Sequence, residues 1–281
     1  MDAFHGLIND INGILWSYVL VYLLFGVGIY FTIRFGFLQF RGLKRACQVT
    51  FAKAGPGEIS SFQAFATGLA SRVGMGNIAG VATAISVGGP GAVFWMWITA
   101  LLGMSSAFVE ATLAQIFKVK NGDGTFRGGP AYYIQQGLGS RGWGIAFALS
   151  LLLAFGLVFN ALQSNAIAES MEVAFGIDRT LMGFIVVACS GAVIFGGARR
   201  IGKVAEILVP VMAVIYLLVA LYAIITNIGE VPRVIGLIFA AAFNPQAALG
   251  GAAGVTMKAA AEMGIKRGLF SNEAGMGSAP N

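Results

Sequence analysis

The residues best placed for chemistry lie in a glycine-rich break inside an apolar segment at about residues 62–87. Gly74 and Gly76 flank a single residue, with Arg72 and Asn77 beside them. Each interior glycine costs a helix roughly 1 kcal/mol relative to alanine. Inside hydrocarbon, such a break is tolerated where the freed backbone lines a cavity or binds a ligand. The pattern therefore predicts a binding site near the middle of a membrane.

An unwound helix offers two kinds of backbone ligand. Its N–H groups can hold a carboxylate, and its carbonyl oxygens can coordinate Na⁺. The side chain of Asn77 adds a hard, neutral oxygen that suits Na⁺. The alternative interpretation is a helix-packing motif, Gly76-x-x-x-Gly80. That alternative leaves Gly74, Arg72 and Asn77 unexplained.

A second polar cluster interrupts the apolar segment 143–171. It contains Asn160, Gln163, Ser164 and Asn165. Of these, Gln163 is a reasonable ligand for an amino-acid substrate. Hydrogen bonding between helices, which contributes about 0.6–2 kcal/mol in membranes, is the alternative.

The composition identifies the elements that must position these groups. The chain is 57% hydrophobic and 11% charged, whereas a soluble domain carries about 25% charged residues. This composition predicts a polytopic α-helical membrane protein. Seven segments are near the 20 residues that a span requires. They are about 14–36, 62–87, 91–117, 143–171, 180–197, 203–227 and 246–265.

The basic residues favour one orientation of these spans and argue against nucleic-acid binding. With the N-terminus outside, the cytoplasmic loops hold 14 of the 18 basic residues, while the opposite loops hold only Arg179 and Arg233. The other two, Arg72 and Lys258, lie inside spans. Such asymmetry is the usual topology signal. Since the net charge of +6 belongs to loops between spans, we expect no nucleic-acid partner.

Catalytic chemistry has little support in the sequence. His5 is the single histidine, and it precedes the first span. Cys47 and Cys189 have no metal-binding or redox spacing. We therefore expect neither an enzyme nor a cofactor, with no catalytic residue and no metal beyond Na⁺.

Glycines interrupt the seventh span as well, at residues 250–254. By the charge topology, the second and seventh spans run in opposite directions, and their starts are five spans apart. Two broken helices of opposite direction, each opening a five-helix unit, are typical of an inverted-repeat transporter. The second unit needs four more spans after residue 265. The sequence therefore predicts the N-terminal portion of a longer protein.

Two long, specific motifs, residues 67–85 and 268–280, resemble the alanine or glycine:cation symporter family. The resemblance extends over essentially the whole chain. It implies an all-α polytopic membrane protein with the leucine-transporter-type five-plus-five inverted repeat and one extra N-terminal helix, truncated after the first helix of the second repeat.

In these terms, residues 1–281 form one transmembrane domain. The extra helix is 14–36 and the first repeat is 62–227. Residues 231–281 hold an interfacial helix, the first helix of the second repeat and a cytoplasmic loop formed by 268–280.

The resemblance also implies a function. It predicts a secondary active transporter in a bacterial or archaeal plasma membrane that imports alanine or glycine with Na⁺ by alternating access. The predicted partners are these solutes and the lipid bilayer. The predicted substrate-binding residues are Ser71, Gly74, Met75, Gly76, Gln163, Gly250, Gly251, Ala252 and Gly254. The predicted Na⁺ ligands are the carbonyls near Ala70 and Val73 and the side chain of Asn77.

Two alternatives remain open. One is a sodium-coupled symporter of another small solute. The other is a channel, which needs a continuous pore and often rings of one charge. Two oppositely directed broken helices suit an occluded central site better than a pore.

Overall fold

The computed structural model describes residues 2–52, 60–122, 126–243 and 257–280. This part of the chain is helical almost throughout, which confirms an all-α protein. Within it, one short antiparallel pair of strands joins β1 (Val119–Lys120) to β2 (Phe126–Arg127), with Val119 opposite Arg127.

Fourteen α-helices are present among the described residues. In the first half of the chain they are α1 (Asp2–Ile14), α2 (Val21–Arg34), α3 (Leu38–Arg41), α4 (Leu43–Thr50), α5 (Ser61–Arg72), α6 (Met75–Gly88) and α7 (Gly91–Ile116). In the second half they are α8 (Pro130–Gly137), α9 (Arg141–Leu153), α10 (Asn160–Phe175), α11 (Arg179–Ile194), α12 (Gly197–Thr226), α13 (Val231–Phe243) and α14 (Met257–Asn272).

Two π-helical segments join neighbouring helices into longer runs. Leu15–Leu20 connects α1 to α2, and Ala154–Phe159 connects α9 to α10. The N-terminal helix therefore begins at Asp2 rather than at residue 14. π-Helical turns occur mostly inside α-helices and often near functional sites. The second of them lies one turn before Gln163.

Three helical runs are long and apolar enough to cross a membrane, as judged for the described residues. They are Gly91–Ile116, Arg141–Phe175 and Arg200–Thr226. Shorter apolar helices are Val21–Arg34, Met75–Gly88 and Arg179–Ile194. These helices fall within or close to six of the seven predicted spans and support a multi-pass membrane protein. Of the seventh span, 246–265, residues 246–256 lie outside the described part of the chain.

The chain divides into two compact units. The first contains Met1–Leu43, Gly76–Glu110 and Leu221–Ala279. The second contains Lys44–Met75, Ala111–Ala220 and Pro280–Asn281.

Helix α14 is the centre of packing in the first unit. Its residues Ile265 and Leu269 form a buried apolar cluster with Val21 of α2, and Leu24, Phe25 and Trp95 pack against this cluster. A Cβ on Gly268 would lie 2.9 Å from the Cβ of Thr99 in α7. Glycine is therefore needed here to let the backbones of α14 and α7 approach closely.

Helix α6 packs antiparallel to α14 in the same unit. Its buried residues are Gly76, Gly80, Ala84 and Gly88, one every four positions. At one end, a Cβ on Gly76 would meet the ring of Phe270 at 3.0 Å, and at the other, a Cβ on Gly88 would meet the Cβ of Met263 at 2.8 Å. The packing motif considered for Gly76 and Gly80 is thus part of this structure.

In the second unit, helix α5 is fixed at its start to α12. Ser60 and Gln63 form a reciprocal capping box, in which the Ser60 Oγ accepts from the Gln63 backbone N–H at 3.0 Å. The Gln63 Nε2 then donates to the Glu206 Oε2 at 2.8 Å. An N-terminal cap of this kind contributes about 1 kcal/mol. The start of α5, the helix that precedes the break, is therefore fixed to α12.

The motif 268–280 differs from the predicted loop. Residues 268–272 continue α14 to Asn272, and only residues 273–280 form turns. The helix extends this far because Gly268 and Leu269 are buried in it against neighbouring helices. Tertiary packing offsets the low helix propensity of glycine here.

Candidate functional site

The predicted break is present, and it is shorter than the sequence suggests. Helix α5 ends at Arg72, and Val73 is extended, with φ −83° and ψ 97°. The chain is helical again from Met75. The interruption is thus confined to Val73 and Gly74, whereas Gly76 and Asn77 belong to the first turn of α6.

The break leaves carbonyls at the end of one helix and N–H groups at the start of the next. The last four carbonyls of any α-helix lack partners within the helix. One of them is satisfied, because the Val73 N–H donates to the Leu69 carbonyl at 2.9 Å. Ala70, a predicted Na⁺ ligand, stands in this last turn. Ser71 is exposed, and its Oγ donates to the Gly68 carbonyl within α5.

Gln163 caps the start of α6. The Met75 backbone N–H donates to the Gln163 Oε1 at 3.1 Å. A Cβ on Gly74 would clash with the Gln163 amide, lying 3.2 Å from its Cδ and closer still to its Nε2. The absence of a side chain at Gly74 is therefore what admits the amide. Three of the predicted substrate-binding residues, Gly74, Met75 and Gln163, are thus together within the second unit.

Asn77 makes its contact within the first unit. Its Oδ1 accepts a hydrogen bond from the Ser271 Oγ, in the last turn of α14. Ser271 was not among the predicted site residues. Only its place in the motif 268–280 pointed to it.

The turn after α14 surrounds a carboxylate. The Glu110 side chain of α7 accepts from the Gly275 N–H at 3.2 Å and from the Gly277 N–H at 2.8 Å. Both glycines have left-handed backbone, with φ +88° and +73°. This conformation is open to glycine without strain and turns the two N–H groups toward one acceptor. The sequence alone does not predict this cradle, and the repeated Gly-x-Gly at residues 275–277 is the available signal for it.

Arg72 is the last residue of α5 and directly precedes the break. Its Nε is buried and makes no hydrogen bond to any residue that the structure describes. The sequence places it inside a span, where an ionisable group is a candidate for function.

The predicted contacts in the second break fall outside the described residues. They are those of Gly250, Gly251, Ala252 and Gly254. A cavity of about 1000 Å³ in the first unit lies between α1, α2, Trp95 and α14. None of the predicted site residues lines it.

Comparison with known proteins agrees with the resemblance seen in the sequence. The whole chain, residues 1–281, matches the sodium:alanine symporter family. The probable sodium/glutamine symporter GlnT of Bacillus subtilis is 52% identical over 96% of this chain and 56% of its own length. The amino-acid carrier protein AlsT of the same organism is 50% identical over 99% of this chain and 59% of its own length.

A relative from Methanococcus maripaludis, the sodium/alanine symporter AgcS, is 43% identical over 99% of this chain and 62% of its own length. The chain thus spans about three-fifths of the length of the curated relatives that it matches. On the match of its full length and on these identities, the chain belongs to the sodium:alanine symporter family.

Proposed function

We propose that the protein containing this chain couples the import of a small neutral amino acid, alanine or glycine, to the entry of Na⁺. The observation that carries the proposal is the hydrogen bond from the Met75 N–H to the Gln163 Oε1. It identifies the start of α6 as a place where a backbone N–H is available to an oxygen acceptor from outside the helix.

A substrate carboxylate suits this place better than an amide oxygen does. The N-terminal end of a helix carries a partial positive charge that favours anions, and hydrogen bonds to charged groups are about twice as strong as neutral ones. We infer that the carboxylate displaces the Gln163 Oε1 from the Met75 N–H. The released amide oxygen then accepts from the substrate ammonium. One glutamine would thus serve the empty and the occupied site.

The proposed Na⁺ ligands are the carbonyls of Ala70 and Val73 and the side chain of Asn77. Neutral carbonyl and amide oxygens are hard ligands that suit a hard cation. The names of the relatives support Na⁺ as the coupling ion, since two are called sodium symporters. They name glutamine in one protein and alanine in the other, both neutral amino acids.

The transport cycle proposed here is alternating access in a plasma membrane, with the N-terminus outside. The broken span opens the first five-helix repeat, and the glycine-rich segment 246–265 would open the second, inverted one. Neutral oxygens around Na⁺ and a single amide for the ammonium favour a zwitterionic substrate over an anionic or cationic one.

Uptake into proteoliposomes by the complete protein tests the proposal. We expect saturable accumulation of labelled alanine or glycine that requires an inward Na⁺ gradient and is lost when K⁺ replaces Na⁺. Gln163→Ala should raise the KM for the amino acid, whereas Gln136→Ala, an exposed glutamine of α8, should not. Uptake that neither saturates nor depends on Na⁺ would indicate a channel and refute the proposal.

A further inference from the structure

The cavity of about 1000 Å³ in the first unit is elongated. The N-terminal helical run lines it from Asn9 to Ile29, and α14 lines it from Lys258 to Ile265. A helix of about 20 residues extends roughly 30 Å, so the cavity is long as well as large. Its volume is at the upper end of the range for small-molecule sites. A long, flexible molecule therefore fits it better than a compact one.

The two helices that line the cavity run in the same direction. Val21 of α2 packs against Ile265 of α14. One turn further along α2, the Leu24 Cδ2 lies 2.7 Å from where a Cβ on Gly275 would be. A later residue of α2 thus meets a later residue of the segment that begins with α14. The start of the N-terminal run and the start of α14 are therefore at the same end of the cavity.

This common direction separates a polar end of the cavity from an apolar one. Asn9 and Asp10 of α1 and Lys258 of α14 line the end where both helices start. Phe25 and Ile29 of α2 line the opposite end. The lining is thus amphipathic along its length, as a molecule with a charged head and an apolar tail requires.

The polar end lies at a membrane surface. Helices α6 and α7 are both apolar, and the chain reverses between them at residues 89–90. A Cβ on Gly88, the last residue of α6, would lie 2.8 Å from the Cβ of Met263 and 3.4 Å from the Ala259 carbonyl oxygen. The first turns of α14 are therefore beside this reversal, at the level of lipid headgroups, and the apolar end of the cavity lies within the hydrocarbon.

The polar end carries two charges of opposite sign. Asp10 and Lys258 are exposed, and neither forms an ion pair with another residue in the described part of the chain. Glu262, which also lines the cavity, is paired with Lys266 at 2.6 Å. A lysine near the membrane surface attracts a lipid phosphate, and a carboxylate accepts strong hydrogen bonds from an ammonium. The two charges together favour a zwitterionic headgroup.

Trp95 adds a hydrogen-bond donor to the lining. It lies one turn after the start of α7 and lines the cavity. Its Nε1 is buried and has no hydrogen-bond partner among the residues that the structure describes. A buried indole N–H usually finds an acceptor, and tryptophan is enriched at membrane interfaces. The ester carbonyl of a glycerolipid, just below the headgroup, is an acceptor of the required kind.

We propose that this cavity binds one phospholipid with an ethanolamine headgroup. The phosphate lies at Lys258 and the primary ammonium at Asp10. An ester carbonyl accepts from the Trp95 Nε1, and an acyl chain extends along α2 towards Ile29. The site shares no residue with the break in the second span, so the proposal stands or falls independently of the proposed function.

Native mass spectrometry of the complete, delipidated protein tests the proposal by titration with three phospholipids of the same acyl chains. Phosphatidylethanolamine should bind most tightly, as one molecule per protein. Phosphatidylglycerol lacks the ammonium and should bind more weakly. Phosphatidylcholine keeps both charges, but its quaternary ammonium has no N–H to donate, and it should also bind more weakly.

Charge variants identify the two headgroup contacts. Asp10→Asn should lower the affinity for phosphatidylethanolamine by about fivefold without lowering that for phosphatidylglycerol. Lys258→Gln should lower the affinity for both lipids by about fivefold, and Trp95→Phe should weaken both. Lys44→Gln, at an exposed lysine of α4, and Trp97→Phe, at a tryptophan that does not line the cavity, are the matched controls and should change neither affinity.

Thermal unfolding checks that the variants remain folded. Phosphatidylethanolamine should raise the melting temperature of the unmodified protein more than that of Asp10→Asn, whereas the melting temperatures without lipid should agree. Equal affinities of the unmodified protein for phosphatidylethanolamine and phosphatidylglycerol overturn the proposal. So does the absence of a tightly bound lipid, which would mean that the remainder of the protein fills the cavity.

Discussion

Gly74→Ala should weaken amino-acid binding by displacing Gln163. The Gly74 backbone does not lie in the left-handed region, so alanine can adopt its conformation without strain. The new methyl group would occupy the space of the Gln163 amide, 3.2 Å from its Cδ. Since the methyl group and the amide cannot occupy the same space, we expect the amide to move away. Its hydrogen bond to the Met75 N–H should then break.

The magnitude follows from the contact with the substrate ammonium that the amide makes in the occupied site. A hydrogen bond to a charged group contributes about 1.5–3 kcal/mol, and the neutral bond to the Met75 N–H that the substrate displaces contributes about 0.5–1.5 kcal/mol. The difference, about 1–1.5 kcal/mol, corresponds to a factor of about 5–12 in affinity. Gly74→Ala should therefore raise the KM for the amino acid by roughly this factor. Gln163→Ala should raise it by a similar factor, because both variants remove the same amide from the start of α6.

The double variant decides whether the two residues act through one contact. Initial rates of labelled alanine uptake, measured at saturating Na⁺, give the KM of each single variant and of the pair. If Gly74 serves to admit Gln163, the double variant should resemble Gln163→Ala, with strong coupling between the two sites. Gly183→Ala is the control, since a Cβ there meets no atom within 4 Å. Effects that simply multiply would refute the reasoning.

Three further predictions concern the scaffold and are measured by thermal unfolding of the purified protein. Gly264→Ala should lower the melting temperature, with a cost of about 1–3 kcal/mol, because its Cβ would lie 2.7 Å from the Cβ of Trp95. Gly236→Ala, with open space around it, should not, and equal melting temperatures for the two would contradict the packing argument. Glu110→Gln should destabilise the turn after α14 by about 1–3 kcal/mol, since an amide offers one acceptor atom to two N–H groups; no change would contradict the cradle. Ser60→Ala should cost about 1 kcal/mol through loss of the α5 cap, and an unshifted melting temperature would argue against the capping box.

Much of the fold follows from the sequence because it depends on composition and local pattern. Five of the seven apolar segments become helices within about six residues of their predicted ends, and the family match confirms the resemblance to the sodium:alanine symporters. The start of the N-terminal helix at Asp2 and the continuation of α14 through 268–272 escaped prediction. In α14 the burial of Gly268 and Leu269 against other helices offsets the low helix propensity of this glycine-containing segment. Contacts of this kind cannot be predicted from the length and hydrophobicity of a segment.

Two parts of the candidate site could be predicted because each contains a residue type that is unusual in an apolar span. The break beside Gly74 and the polar Gln163 in an apolar span both stand out in the sequence, and the structure brings them together. The pairing of Asn77 with Ser271 and the cradle for Glu110 join residues more than 160 positions apart. Only the packing of α14 against α6 and α7 creates these contacts, so local spacing could not reveal them.

The close contacts at the glycines of α14 also determine which amino-acid substitutions the first unit tolerates. Where helices touch through side chains, a substitution is absorbed by neighbouring rotamers. At Gly268 the facing atoms include the Met96 Cα, 3.3 Å from where a Cβ would lie, and backbone has no rotamer to change. A deep mutational scan along α14 should therefore show intolerance that recurs with each helical turn, at Gly264 and Ile265 and again at Gly268 and Leu269, with more tolerant positions at Lys266 and Arg267 between them.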